Sequence, residues 1–570
     1  MTPEKSLQAT RIACCQIALV PNQATNLKTC LSLIEQASHV KPDLIVLPEM
    51  SNWSAGLVKS RADALEHSVT LDGEFMRAIA DKAQRHHCFI AIGVIERLEQ
   101  ETFITSVIIS PAKEIVLKYQ KQIPFGPQIA WATPGRTGNP VVALPFARVG
   151  VYICADGLIP ETTRVLALKG AQLLINTLHS GGSDETYLHV PVRAYENRVW
   201  LASANKVGQR DLGALDRFSG GSQIVSPEGD ILVRADALTD SFVWADIDFN
   251  DPQQERNQKR EVFELRRPEC YGALTAKPLY PFEGGTFKGP ASLGVSALQL
   301  NGHGIEALHE AIDQWGKSVF QRGSRLVVLP YLLMHDVGAQ DFDPSKAALK
   351  DIEALALVQQ TAQSTSSWVV FSSIKLSVSE PTKFEVCTDL IDPRGVVLGS
   401  HVQIHFANAL KTWASAGSQF QVFKTPIGRI GLLCGADAQV LESFRVLSYQ
   451  GAQLICVSGE MGDVREMNLG LRERVAENRV HIVFASRSDA PCPNGSVVVQ
   501  ANAYPSEPHW RVRFPDVLRI ERGERAVSAT LDLLCTNDKT VAALGCDLFL
   551  SPRHDEYNCL LAHTGLPFTS

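Results

Sequence analysis

The chain has 570 residues, 45% of them hydrophobic and 20% charged, the proportions of a soluble globular protein with ample material for a core. Lys and Arg number 54 against 61 Asp and Glu, a net charge of −7 with a pI near 6.1, which argues against a nucleic-acid-binding surface. No run approaches 18 uninterrupted apolar residues, so no membrane span is expected, and the polar start, residues 1–10, has no apolar core of a secretory signal. The 13 cysteines lie mostly in apolar runs (Cys14, Cys15, Cys154, Cys434, Cys456) and read as reduced thiols of a cytoplasmic protein. No CxxC pair has zinc-site spacing, so no metal site is expected.

In chain order, Asp43-Leu-Ile-Val-Leu-Pro48 predicts a strand over 44–47. Phe75, Ile79, Ala80 and Ala83 recur at helical spacing and predict a helix over 73–85, with a strand following over 89–95. Residues 149–153 predict a strand, 160–169 a helix and 173–176 a further strand. Pro160 and Glu161 suit a first helical turn, where the missing N–H is harmless and a carboxylate meets the positive end of the dipole. Alternation of strands and helices predicts an α/β layer architecture.

The plan is then repeated. Arg11-Ile-Ala-Cys-Cys-Gln16 returns as Leu293-Gly-Val-Ser-Ala-Leu-Gln299, and Asp43-Leu-Ile-Val-Leu-Pro48 as Arg325-Leu-Val-Val-Leu-Pro330. Val149-Gly-Val-Tyr-Ile-Cys154 returns as Ile430-Gly-Leu-Leu-Cys434, Gly170-Ala-Gln-Leu-Leu-Ile175 as Gly451-Ala-Gln-Leu-Ile-Cys456, and Glu196-Asn-Arg-Val199 as Glu477-Asn-Arg-Val480. The offsets run from 280 to 283. So long a period means duplicated domains, expected at 1–284 and 285–570, joined through the Gly/Pro-rich stretch 281–290.

Glu49 follows the end of one strand, Cys154 ends another just before a helix, and Lys121 lies between them in sequence. Singly, each reads as packing or as a solvated charge. Their order and flanks change that reading. Asp43-Leu-Ile-Val-Leu-Pro-Glu49, Tyr119-Gln-Lys121 and Cys154-Ala-Asp-Gly-Leu-Ile-Pro-Glu161 together resemble the nitrilase (carbon–nitrogen hydrolase) superfamily. Arg193-Ala-Tyr-Glu-Asn197, Ala204-Asn205, Ser222-Gln-Ile-Val-Ser-Pro-Glu-Gly229 and Arg266-Arg-Pro-Glu-Cys-Tyr271 are similar to its downstream landmarks.

The resemblance implies two tandem α-β-β-α sandwiches, paired as an intramolecular pseudo-dimer. It also implies a Cys–Glu–Lys triad in the first. Cys154 would be the nucleophile, Glu49 the general base and acid, and Lys121, with the N–H of Ala155, the holder of the oxyanion. The helix at Pro160 is expected to favour the thiolate. Hydrolysis would run through an acyl-thioester and need no metal or cofactor. Cys154-Ala-Asp-Gly and Lys121-Gln-Ile-Pro124 are similar to the amidase-like branch, favouring a small amide or N-carbamoyl substrate. Nitrile hydrolysis, acyl transfer from the same thioester and a non-catalytic scaffold are the alternatives.

Two departures bear on the substrate. Ala155 stands where many members carry an aromatic residue. No acid occurs from Gln122 to Gly135, where many amidases place a second glutamate; Gln128 lies in that stretch. Trp53, Phe125, Gln128, Trp131, Ala155 and His179 are substrate-binding candidates by position, with plain packing as the competing reading. A homo-oligomer is compatible with the family.

In the second half, Glu49 falls on Tyr331, Lys121 on or next to Gln403, and Cys154 on Cys434. Base and lysine are lost, so this domain is expected to be degenerate and Cys434 a buried thiol, against a competing chemistry built from Cys434, His405 and Tyr331. Asn301-Gly-His-Gly-Ile-Glu-Ala307 has a GxGxxA pattern, but no acidic residue ends the following strand, so it reads as a turn and not a dinucleotide site. His86-His87-Cys88 reads as packing or exposure, since adjacent residues rarely converge on one ion. Ser372-Ser373-Ile-Lys375 lacks the Gly/Ser-rich surround of a Ser–Ser–Lys amidase.

Overall fold

Parallel strands linked by helices begin each half. The computed structural model describes residues 9–562, except 54–57, 183, 209–217, 279–289, 301–302, 407–408, 489–494, 503–513, 521–524 and 542–545. In the first half a seven-stranded sheet runs in the order Lys206–Val207, Thr10–Ala18, Leu44–Val46, Phe89–Leu98, Glu101–Ile109, Ile115–Gln120, and Ser241–Ile247 pairs antiparallel with Thr10–Ala18 off this path. Thr10–Ala18, Leu44–Val46 and Phe89–Leu98 are parallel, as strands joined by crossover helices must be. Those crossovers include Gln23–Ser38, capped by the Asn22 side chain, and Glu74–His86. A six-stranded sheet follows, in the order Ile231–Arg234, Gln223–Val225, Trp200–Ala204, Leu173–Thr177, Arg148–Ile153, Val141–Ala143.

Alternation along the strands decides which layer each residue enters. Ile12, Cys14, Leu44 and Val46 meet Val149, Val151, Ile153 and Ile175 in an apolar layer between the sheets. Ala13, Cys15, Ile45 and Ile90 point the other way, onto Leu33, Ile34, Phe75, Ile79 and Ala83 of the helices. The helices Pro160–Leu168 and Val190–Asn197 accompany the second sheet. The second half repeats the plan. Its sheets run Val397–Val402, Phe384–Ile391, Trp368–Leu376, Leu326–Val328, Ser292–Leu298, Ala526–Asp532 and Val422–Thr425, Gly428–Cys434, Leu454–Ser458, His481–Ala485, Val497–Gln500, Asp516–Arg519. Helices Ile305–Arg322 and Pro344–Thr365 cover the first of these.

Observed strands and helices lie within a few residues of those expected from the sequence. The two compact units, however, are not two continuous halves. One takes Met1–Glu264 and Thr540–Ser570, the other Leu265–Ala503 and Phe514–Lys539. Each thus ends on the tail that chain order gives to the other repeat. The stretch 281–290 lies outside the described residues, except for Pro290. In the second unit Arg266 forms a 2.9 Å ion pair with Glu442, both buried, and Tyr271 Oη lies 2.7 Å from His405 Nε2. In the first, Arg553 donates to the Gly135 carbonyl at 2.7 Å, and the turn Asn558–Leu561 packs on helix Pro160–Leu168 with Tyr557 and Leu560 fully buried. Among the described residues no helix is long and apolar enough to cross a membrane, and no group of His, Cys, Asp and Glu could hold a metal ion.

Replacing Tyr557 by Ala is expected to destabilise the first unit by about 3–5 kcal/mol, the cost of deleting a buried aromatic ring. Hydrogen exchange in urea should then show Arg148–Ile153 losing protection before Gly428–Cys434.

Candidate active site

Glu49, Lys121 and Cys154 each lie just beyond a strand end. Glu49 sits in a turn after Leu44–Val46 that is pinned to the strand Phe89–Leu98: Ser51 N–H donates to the Gly93 carbonyl at 2.7 Å and Gly93 N–H to that of Pro48 at 3.1 Å. A Cβ on Gly93 would lie 2.6 Å from Glu49 Cα, so glycine is what allows this approach. Met50, next in the turn, holds a φ of +50°. Lys121 follows Ile115–Gln120, fixed by its N–H to Ile104 and its carbonyl to Gly135, each at 2.8 Å. Its ammonium donates to Glu49 Oε1 at 2.8 Å and to Gln128 Oε1 at 3.0 Å. Gln128, on the short turn Gly126–Ala130, also accepts from Phe125 N–H at 2.9 Å.

Cys154 ends the strand Arg148–Ile153 and opens a 3₁₀ turn, Cys154–Leu158, with a φ of +48°. A left-handed conformation at a non-glycine residue costs about 1–3 kcal/mol. The parallel neighbour strand holds it, since Cys154 N–H donates to Asn176 Oδ1 at 3.0 Å and Asn176 Nδ2 to Ser203 Oγ at 3.3 Å. The thiol points to the His179 carbonyl at 3.9 Å. Ala155, buried, follows in the turn, where its N–H has no partner three residues back inside the turn.

Electrostatics sets the resting protonation. Burial pushes the Cys154 thiol well above its usual range, Lys121 pulls it down, and Glu49 pushes it up. The helix at Pro160 is separated from Cys154 by the turn Cys154–Leu158, and burial acts against the thiolate expected from it. Burial works against the Lys121 charge as well, but Cys154, Glu49 and Asp156 hold its ammonium above the usual lysine value. Glu49 Oε2 is buried with no hydrogen-bond partner among the described residues. Asp156 ties the Lys121 loop to the Cys154 turn by accepting from Tyr119 Oη at 2.7 Å and Ile123 N–H at 2.9 Å. Burial lifts this carboxyl to about 7 against the pull of Lys121 and those bonds.

Among the positional candidates, Gln128 meets Lys121 and the His179 carbonyl meets the thiol. Trp53 stacks on His67, with ring centroids 3.7 Å apart, and Trp131 is buried in the layer between the sheets. Neither indole bonds to Glu49, Lys121 or Cys154 among the described residues. Phe125 is half-buried and contributes its backbone to the Gln128 turn. Asp156, Asn176 and Lys206 went unread in the sequence. Lys206, fully buried, donates to the Met50 carbonyl at 3.2 Å and lies 2.8 Å from His179 Nδ1. A lysine directly after the apolar strand Trp200–Ala204 and Asn205 was the available signal.

The second unit corrects one alignment. Strand pairing matches Ile153 with Thr177 and Cys434 with Ser458, and the 3₁₀ turns Cys154–Leu158 and Gly435–Gln439 superpose at an offset of 281. Cys434 is therefore the counterpart of Ile153, and the counterpart of Cys154 is Gly435, whose φ is +52°. A Cβ there would lie 2.7 Å from Gln403 Oε1. Tyr331 Oη donates to that same oxygen at 3.0 Å, replacing the ion pair of the first unit. His405 lies 2.8 Å from Asp437 and Tyr331 bonds to Gln403, so among the described residues Cys434, His405 and Tyr331 form no hydrogen-bonded set, and burial holds the Cys434 thiol well above its usual range. Burial opposes ionisation of Asp437, but His401 and His405 keep its carboxyl well below the usual range. His86 lies 3.3 Å from Glu35, and Lys375 pairs with Asp389, which accounts for two of the remaining sequence motifs without metal or nucleophile. Of the GxGxxA stretch, Asn301 and Gly302 lie outside the described residues.

The chain belongs to the carbon–nitrogen hydrolase family, whose model matches residues 11–257 and again 294–498. It is 31% identical over 244 residues to a nitrilase of Pyrococcus abyssi, covering 42% of this chain and 90% of that one. It is 27% identical over 292 residues to the deaminated glutathione amidase of Mus musculus, covering 48% and 88%. Among solved structures, an amidase from Nesterenkonia sp. is 22% identical, covers 46% of this chain and all of its own, and gives a TM-score of 0.40.

Two predictions follow from this geometry. Asp156 has a folded pKa of about 7 against an ordinary 3.8, so between those values the folded chain holds a proton that the unfolded chain releases. Its contribution to stability therefore falls as pH rises through that window. Relative to wild type, Asp156→Asn should melt at a progressively higher temperature from pH 5 to pH 8; a pH-independent difference would count against burial as the cause. Cys434→Ala should leave turnover unchanged, because Cys434 occupies a strand position and not the turn that matches Cys154–Leu158.

Proposed function

We propose that the first unit hydrolyses the carbon–nitrogen bond of a small amide or N-carbamoyl compound through a thioester on Cys154. The observation that carries this reading is the buried Lys121–Glu49 pair, closed by Gln128 beside the Cys154 turn, together with its replacement by a neutral Tyr331–Gln403 bond where the second unit has Gly435.

In this mechanism Glu49 takes the thiol proton as Sγ attacks the substrate carbonyl carbon. The developing oxyanion is met by the Lys121 ammonium and the Ala155 N–H, fixed dipoles in a water-poor site. Collapse of the adduct breaks the C–N bond, and Glu49 returns the proton to the departing nitrogen. Glu49 then deprotonates a water, which attacks the thioester. The acid leaves and the thiol is regenerated with the proton that Glu49 received. A thiol held protonated by burial fits this order, because its proton is needed for the leaving group.

Cys154-Ala-Asp-Gly and Lys121-Gln-Ile-Pro124, similar to the amidase-like branch, support an amide over a nitrile. Gln128 Oε1 supplies an acceptor to Lys121 where many amidases have a second acid. The relatives include both a nitrilase and an amidase. Unbridged thiols throughout the described residues, including the neighbours Cys14, Cys15, Cys30 and Cys88, support a reducing, cytoplasmic location.

Ammonia release across a panel of amide, ureido and nitrile compounds tests the reading. Turnover by the wild type is expected with amides or ureido compounds. Cys154→Ala and Glu49→Gln should each lower it by about 1,000-fold or more, as for groups that act as a unit. Release from no compound, or release that survives Cys154→Ala, would overturn it.

A further inference from the structure

Two residues flanking the proposed chemistry carry backbone strain, Met50 at a φ of +50° and Cys154 at +48°. Such conformations persist only where the surroundings over-determine them. For Cys154 the restraint on the main chain is Asn176. For Met50 it is Ser51, bonded to Gly93, and the buried Lys206, which donates to the Met50 carbonyl at 3.2 Å.

The same ammonium lies 2.8 Å from His179 Nδ1. An ammonium has protons to donate and no lone pair to accept. Nδ1 must therefore be the acceptor, and the imidazole carries its proton on Nε2. The ring is held further by an edge-on contact with Phe218, with centroids 4.6 Å apart. The His179 carbonyl is the group that receives the Cys154 thiol at 3.9 Å. One cation thus reaches from the residue after Glu49 to the residue that faces Cys154.

We infer that Lys206 is a positioning residue that sets the mutual placement of Glu49 and Cys154 by clamping the Met50 carbonyl and the His179 ring together. The inference rests on the reading of Glu49 and Cys154 as base and nucleophile. The second unit offers a contrast. At an offset of 281, Lys206 corresponds to Arg487 and His179 to Glu460, and these form a 3.0 Å ion pair. The guanidinium also meets His303 Nδ1. It stands where there is neither a base nor a thiol to align.

The test is the second-order rate at which iodoacetamide alkylates Cys154 in the full chain, followed by mass spectrometry of the Cys154 peptide and expressed per folded molecule. In that reaction the sulfur displaces iodide and its proton passes to Glu49, so no knowledge of the substrate is required. Lys206→Met should slow alkylation by about 100-fold, the effect of displacing reacting groups by an ångström, while circular dichroism stays native. Lys206→Arg, which keeps a cationic donor, should recover part of the loss. His179→Phe keeps the contact with Phe218 and removes the acceptor, and should slow alkylation by a smaller factor. Wild-type alkylation in folded Lys206→Met overturns the inference. So does wild-type alkylation in folded His179→Phe, which decides the matter if Lys206→Met does not fold. If Glu49→Gln alkylates like wild type, it is the reading of Glu49 as base that fails. If alkylation depends on both Glu49 and Lys206 but no amide is turned over, only the substrate assignment fails.

Discussion

A lysine and a glutamate sit within the first unit with side-chain exposures of 1% and 0%, and much of the surrounding structure answers to that fact. Two charges removed from water are tolerated only where their geometry is good and their remaining valences are met. Lys121 meets two acceptors, one from Glu49 and one from Gln128. Gly93 lets the backbone of its strand approach Glu49 closely enough to fix the turn. Asp156, itself buried, couples the lysine loop to the cysteine turn. Removing either member of the pair would strand the other as an unpaired buried charge. The second unit has neither charge at the matching positions and has one neutral hydrogen bond there, from Tyr331 to Gln403.

The two units also separate fold from chemistry. The left-handed residue that opens the turn after the seventh strand of the repeat is present in both, as Cys154 and as Gly435. In the first unit the thiol requires a side chain in a conformation that side chains resist. In the second, where no thiol is needed, glycine takes the position without strain. The turn therefore belongs to the architecture, and the strained cysteine to the function proposed for it.

Strand and helix positions, the duplication and the Glu–Lys–Cys order could be read from the sequence because each is written in local patterns: period-two apolar runs, helical spacing and short flanking motifs. Three things could not. Cys-Gly-Ala-Asp beside Cys-Ala-Asp-Gly invites alignment of the two cysteines, whereas the shared Ala-Asp is the true guide; a one-residue slip along a strand exchanges its faces, and Cys434 fell on the wrong side of that slip. The exchange of tails between units depends on contacts far apart in the chain, such as Arg266 with Glu442 and Arg553 with Gly135. Lys206 has only its place directly after an apolar strand and Asn205 as a local signal, and a lysine after a strand ordinarily reaches water.

Gln403 and Gly435 also bear on what it would take to build the first unit's Glu–Lys–Cys set into the second. A cysteine placed at 435 would collide with the Gln403 side chain. A lysine at 403 would bring a buried cation against a tyrosine, and a glutamate at 331 would bury a carboxylate against an amide. Building the first unit's Glu–Lys–Cys set into the second would therefore mean changing these positions together, so that each buried charge finds its partner.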